Sequence, residues 1–142
     1  MNPLVVDASV VIAYLLDEEE SYRVHPLFND GRRLMGPALL HVEVSNAIWK
    51  CFRKELISAA DLDLAIDRLG ALGIDTAPAD TVWRHALTLA VDLNHPVYDC
   101  VYLATTIRTG SQLVTLDERF RRKLTGTPWQ VLLADPRNLA PH

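Results

Sequence analysis

Four acids spread along the chain, Asp7, Glu43, Asp99 and Asp117, are the residues whose type and setting could do chemistry. Asp7 interrupts the otherwise apolar run LVVDASVVIAYLL from Leu4 to Leu16, and Asp117 follows the apolar run QLVTL. A carboxylate at the carboxyl end of a buried strand stands where open α/β sheets bind their ligands. Gathering like charges in a crevice of low dielectric is costly, and a fold that does so usually has a cation waiting there. Oxygen ligands at an open site select a hard ion, Mg2+ or Mn2+. Taken alone, Asp7 reads equally well as a turn aspartate. Its charged company decides between the two.

Strands and helices must carry these acids to one edge. Leu4 to Val6 is a short run with no polar alternation, which suits a strand buried on both faces, and Ser9 reads as the N-cap of a helix over Val10 to Leu16. Asp17 to Glu20 reads as a solvated acidic helix start, continued by a helix over Ser21 to Phe28. Asp30-Gly31 is a turn signal, and Arg33 to Met35 a second strand ended by Gly36-Pro37. A helix from about Ala38 to Glu55 carries Glu43, which reaches the same edge if the first turns of that helix start there. Ser58 and Asp61 resemble a capping box that opens a helix to about Leu72. Ile74 to Ala77 is a third strand, and Pro78 with Asp80 starts a helix to about Leu93. After the loop Asn94-His95-Pro96, Asp99 begins a helix that Gly110 ends. Gln112 to Leu116 is a fourth strand, Glu118 to Leu124 a short helix and Trp129 to Leu133 a last, edge strand, with an irregular tail from Ala134. This alternation predicts an α/β fold of three layers, a central parallel sheet of about five strands flanked by helices. Helix N-termini in such units lie at the carboxyl edge, so Asp99 joins Asp7 and Asp117 there.

At 142 residues and 49% hydrophobic content, the chain fits one domain over 1–142, with a core at about 4–133. Fourteen Lys and Arg against eighteen Asp and Glu give a formal charge of -4, so any nucleic-acid role rests on local basic patches. Arg119, close after Asp117, is the favoured phosphate contact. Cys51 and Cys100 read as reduced core residues, and His41, His85 and His95, which lack ligand spacing, as structural or surface residues. The N-terminal apolar run lacks a basic leader and is followed by DEEE, and it is too short to cross a bilayer. A soluble cytoplasmic protein with no membrane association is the expectation.

VVDAS at Asp7, the helical E-x-x-N of Glu43 and Asn46, DCVYLAT from Asp99 and TLDERF around Asp117 together resemble a PIN-domain ribonuclease. Among such proteins the VapC-like toxins of toxin-antitoxin pairs are the nearest in pattern, over about Leu4 to Phe120. The resemblance implies an acidic site of Asp7, Glu43, Asp99 and Asp117, all four metal ligands or neighbours of one, with Asp7 and Asp99 the usual direct ligands. Ser9 and Thr115 support it through their hydroxyls. It implies Mg2+, with Mn2+ able to substitute, and hydrolysis of RNA phosphodiester bonds to leave a 5'-phosphate; Arg119, by its closeness to Asp117, is the expected RNA contact. It also implies a cognate antitoxin protein that pushes a C-terminal segment toward the acidic groove, and a homodimer through helices near Trp49 and Leu62 to Leu72. Asn46 is either an active-edge hydrogen-bonding residue or a polar residue on a helix surface. Cys100 and Thr105-Thr106 stand where the family more often has alanine.

Other readings compete. A metal-dependent adhesion site places D-x-S-x-S after its first strand, but Val11 holds the second serine position here. A receiver-type phosphoacceptor needs an acidic pair after the first strand and a lysine after a later one, and this chain has neither. A non-catalytic PIN-like scaffold that only binds RNA or protein would not need all four acids.

Overall fold

In the computed structural model, which describes residues 2–19 and 21–136, β1 (Leu4–Val6) is buried along its whole length. It lies between β2 (Leu34–Pro37) and β4 (Gln112–Val114), with β3 (Asp75–Ala77) beyond β2, and every pairing is parallel. Leu4 sits opposite Leu34 on one side and Gln112 on the other, so β1 and β4 end level at Val6 and Val114. Burial on both faces explains why β1 and β2 show no polar alternation.

Seven α-helices connect and flank the strands among the described residues: α1 (Ala8–Leu15), α2 (Ser21–Asn29), α3 (Leu39–Arg53), α4 (Ala59–Ala71), α5 (Trp83–Leu93), α6 (Val97–Thr109) and α7 (Glu118–Leu124). Every residue from Cys100 to Thr106 is buried, because α6 lies against β1, β2 and β4 while α5 packs on α6. That accounts for the lack of a solvent-facing stripe over Cys100 to Thr106, where the buried Thr105 and Thr106 hydroxyls donate to Val101 O and Tyr102 O. The three-layer α/β expectation holds. Among the described residues no helix is long and apolar enough to cross a membrane.

The capping box is present as the sequence implied: Ser58 Oγ accepts from Asp61 N and an Asp61 carboxylate oxygen accepts from Ser58 N, both at 3.1 Å. Ser58→Ala is expected to cost about 1 kcal/mol, because one N-terminal N–H of α4 loses its acceptor. Chemical denaturation read by circular dichroism checks this, and an unchanged midpoint would refute it.

Four differences from the sequence reading matter. Trp129 to Leu133 is not a strand: Thr127 Oγ1 accepts from Trp129 N and Pro128 opens a 3-10 turn over Pro128–Leu132. Only Leu133 makes a single parallel bridge to Leu113, so the sheet has four strands among the described residues, not five. Asp7, not Ser9, caps α1, because Ser9 spends its hydroxyl on Asp7 and on β4's exit. A 3-10 turn at Ala79–Thr81 separates Pro78 from α5. Lastly, α6 starts at Val97 directly after Pro96, whose fixed φ suits a helix start, and this places Asp99 inside the first turn. The predicted irregular tail falls largely at 137–142, outside the described residues.

Candidate active site

The chain leaves β1 at Asp7, whose N–H donates to Val114 O at 3.2 Å, so the residue is pinned to the end of the neighbouring strand. Its Oδ1 accepts from Val10 N at 3.3 Å and from Ser9 Oγ at 2.5 Å. Asp7 is only 5% exposed. Burial pushes its carboxyl up to about 6; Ser9, the Thr115 hydroxyl and Val10 N pull the other way, and the charge of Asp99 adds to the rise. Such a carboxyl is half-protonated at a pH of about 6, not fully ionised as an ordinary aspartate would be there, unless something positive joins it.

Ser9 is the tie between the two strand ends. While its hydroxyl donates to Asp7, its oxygen accepts from Leu116 N at 2.9 Å. Ser9→Ala removes a donor from a buried carboxyl and leaves Leu116 N–H without that acceptor. The expected loss is about 1 to 3 kcal/mol, visible as a lower urea midpoint, and Asp7's pKa rises further. Equal midpoints for variant and wild type would remove Ser9 from this role.

Glu43 arrives from the second turn of α3, which does start at the carboxyl end of β2. The geometric step that the sequence left conditional is therefore met. Glu43 is half-buried, and its Oε1 is buried with no hydrogen-bond partner. Burial raises its pKa, the nearby Tyr102 hydroxyl counters this, and Asp99 raises it again. The Tyr102 hydroxyl lies beside Glu43 without reaching hydrogen-bond geometry, and it too is buried and unpartnered. Burial and then the Glu43 charge drive the Tyr102 pKa upward. For the same reasons, burial first and Asp99 second, the Cys100 thiol is pushed up to about 11.

Asp99 projects from the first turn of α6 with its side chain 26% exposed, and His95 Nε2 meets its Oδ2 at 2.6 Å. Asp117 stands apart in one respect: its Oδ1 caps α7, accepting from Arg119 N at 3.0 Å and Phe120 N at 3.2 Å. Its own N–H donates to Thr115 Oγ1 at 3.0 Å, which links it to the buried threonine beside Asp7. Arg121 reaches back to Thr115 O at 3.3 Å and holds the same turn. Arg119 and Asn46 are both exposed.

The structure thus brings Asp7, Glu43 and Asp99 into one electrostatic unit from three different elements, with Asp117 joined to it through Thr115. Among the described residues no three acids, histidines or cysteines are grouped tightly enough to hold an ion as the side chains stand. Their chemistry nonetheless fits a hard cation: a buried carboxyl whose pKa is raised, and a buried carboxylate oxygen without a donor, both lack positive charge. Sequence reasoning missed His95. Its four-residue spacing to Asp99 was the available signal, hidden because Pro96 between them marked a loop.

Comparison with known proteins gives a consistent picture. The PIN domain family model matches residues 4–123. Ribonuclease VapC3 of Pyrobaculum aerophilum is 29% identical over 122 residues, covering 84% of this chain and 93% of the relative. The crystal structure of PAE2754 from the same organism superposes with a TM-score of 0.68 at 22% identity, covering 97% of this chain and 92% of that one. A toxin-antitoxin complex from Klebsiella pneumoniae gives a TM-score of 0.61 at 10% identity, over 94% of this chain and 97% of the other. VapBC2 from Rickettsia felis, bound to a DNA fragment from its promoter, gives 0.58 at 12% identity, over 84% and 92%.

Proposed function

The chain belongs to the PIN-domain family, and from that footing we propose a metal-dependent endoribonuclease that serves as the toxin of a toxin-antitoxin pair. One observation carries the reading: Asp7, Glu43 and Asp99 come from three elements to one sheet edge, near enough that the Asp99 charge raises the pKa of both the others. A protein that kept such charges only for stability would pair them, because an unpaired buried polar atom costs about 1 to 3 kcal/mol. The ribonuclease name of the relative supports RNA as the substrate.

Asp7 and Asp99 would hold Mg2+ or Mn2+, with Glu43 and Asp117 beside them. A divalent ion lowers the pKa of its bound water and neutralises phosphoryl charge. This chain's own residues do the rest. Ser9 and Thr115 keep the Asp7 carboxyl oriented and favour its ionised form. Arg119, exposed on the first turn after Asp117, would meet an RNA phosphate.

The toxin-antitoxin neighbours support a protein antitoxin as partner, and an acidic groove of this kind would accept an arginine from it through charge-assisted hydrogen bonds. A homodimer belongs to the same reading. Trp49 and Leu62, on the helices named for it, line an apolar groove of about 460 Å³ between α3 and α4 together with Phe52 and Ile66. The proposed setting is the cytoplasm, as one domain over 1–142.

Purified protein is tested on bulk RNA with Mg2+, Mn2+, Ca2+ or chelator, beside an Asp7→Asn control. Cleavage is expected with Mg2+ and Mn2+ and not with Ca2+, whose looser coordination positions an attacking water poorly. Equal rates in Ca2+ and Mg2+, or full activity in chelator, would remove the metal requirement, and cleavage that persists unchanged in the control would remove the nuclease assignment. In cells, expression should slow growth, and co-expression of a neighbouring short open reading frame should relieve it. Harmless expression of an RNA-cleaving protein would remove the toxin role and leave the fold intact.

A further inference from the structure

His95 joins two of the acids through a single ring. Its side chain is 2% exposed, its Nε2 meets Asp99 Oδ2 at 2.6 Å, and its ring stacks on Phe120 at a centroid distance of 5.0 Å and 23° between planes. Phe120 is itself buried, and its N–H donates to Asp117 Oδ1. A carboxylate can only accept, so Nε2 carries the proton in this bond.

The setting of the ring is tightly determined. His95 N–H donates to Ala90 O at 3.1 Å after the left-handed Asn94, and Pro96 restricts the backbone of His95 itself. The opposite ring nitrogen, Nδ1, is buried with no partner. A ring present for packing alone would be better served by an apolar side chain, since an orphaned polar atom is destabilising. What His95 gains for that cost is the one bond to Asp99.

We propose that His95 is a positioning residue that aims the Asp99 carboxylate into the acidic site and, by stacking on Phe120, keeps it in register with the turn that bears Asp117. The proposal rests on the metal-nuclease reading above and adds a residue to it. Carboxylates that bind ions are themselves held by hydrogen bonds, and loss of such a support typically weakens metal affinity about 10- to 100-fold.

Three variants separate positioning from packing. His95→Phe keeps a flat ring on Phe120 and deletes the donor; His95→Asn is too short to reach; His95→Gln presents an amide N–H at a comparable distance without the ring. Mn2+ binding is measured by isothermal titration calorimetry on the full chain, alongside cleavage at varied Mn2+. The Mn2+ dissociation constant is expected to rise about 10- to 100-fold in His95→Phe and His95→Asn, and to recover most of the way in His95→Gln. Raising Mn2+ should restore most of the cleavage rate of His95→Phe, which a folding defect would not allow. Either of the first two variants that folds is sufficient for the test. Wild-type Mn2+ affinity in that variant, beside a wild-type protein that binds Mn2+ and cleaves RNA, overturns the role of His95 alone. A wild-type protein that binds no Mn2+ overturns both the proposal and the reading beneath it.

Discussion

Raising the pH from about 4 to about 7 in chelator is expected to cost the wild-type protein about 2 kcal/mol more stability than it costs Asp7→Asn. The Asp7 carboxyl is raised from an ordinary value of 3.8 to about 6 by burial first and by Asp99 last. Across that window the folded state holds a proton that the unfolded chain has already released. Stability therefore falls as pH rises, wherever the native state binds more protons. Below the unfolded value the penalty is absent, and above about 6 it is complete. An asparagine has no proton to lose there and still offers Oδ1 to Ser9 Oγ and Val10 N. Guanidinium unfolding at stepped pH, with chelator throughout, measures both curves. Parallel curves would mean that Asp7 ionises as freely as a surface aspartate, and the buried-carboxylate site would lose its physical basis. The same shift has a second consequence. An ion that binds Asp7 must displace its proton, so metal affinity should climb through the same interval.

The sequence made the framework legible where local physics is strong. Leu4 to Val6 could only be a doubly buried strand, Ser58 with Asp61 announced a helix start, and Gly110 announced a helix end that the structure closes at a φ of 63°. It was less informative where two local signals compete. Trp129 to Leu133 has strand-like composition, yet Thr127-Pro128 is a helical start, and five residues of 3-10 turn replaced the fifth strand. At the site, Asp7 and Asp99 could be placed from strand and helix ends. Glu43 could not, because its position depends on where α3 meets the sheet edge. His95 was out of reach for a related reason: only the folded turn around Asn94 brings its Nε2 onto a carboxylate across the Pro96 break. Of the two tasks read for Ser9, its hydroxyl does donate to Asp7, but the cap belongs to Asp7 itself, since a serine two residues past a strand looks like a cap until the Leu116 N–H on the neighbouring strand's exit claims it.

Asp99→Asn is expected to reduce RNA cleavage by at least about 1,000-fold, equivalent to about 4 kcal/mol of transition-state stabilisation, while melting no lower than wild type in chelator. The two halves have one cause. The Asp99 charge raises the pKa of both Asp7 and Glu43, so in the metal-free protein it is a source of repulsion. Neutralising it relieves that repulsion, and asparagine Oδ1 can still accept from His95 Nε2 at the same place. One term opposes this. Asp99 lies in the first turn of α6, where a negative charge favours the helix dipole by about 0.3 to 1 kcal/mol. Its side chain is not the cap of that helix, because the flanking residue is Pro96, so no capping bond is lost with the charge. Repulsion from two neighbouring carboxylates, one of them almost fully buried, should outweigh a dipole interaction at a partly exposed position. Mg2+ then reverses the order. At roughly ten times its dissociation constant it should stabilise wild type by about 1.4 kcal/mol through binding the folded state alone, and the variant by less. Thermal melts of both proteins at fixed ionic strength, with chelator and with Mg2+ titrated, give the comparison directly. A variant clearly less stable than wild type in chelator, together with a wild type that gains nothing from Mg2+, would mean that these carboxylates do not share an ion, and the hydrolytic mechanism built on them would fall.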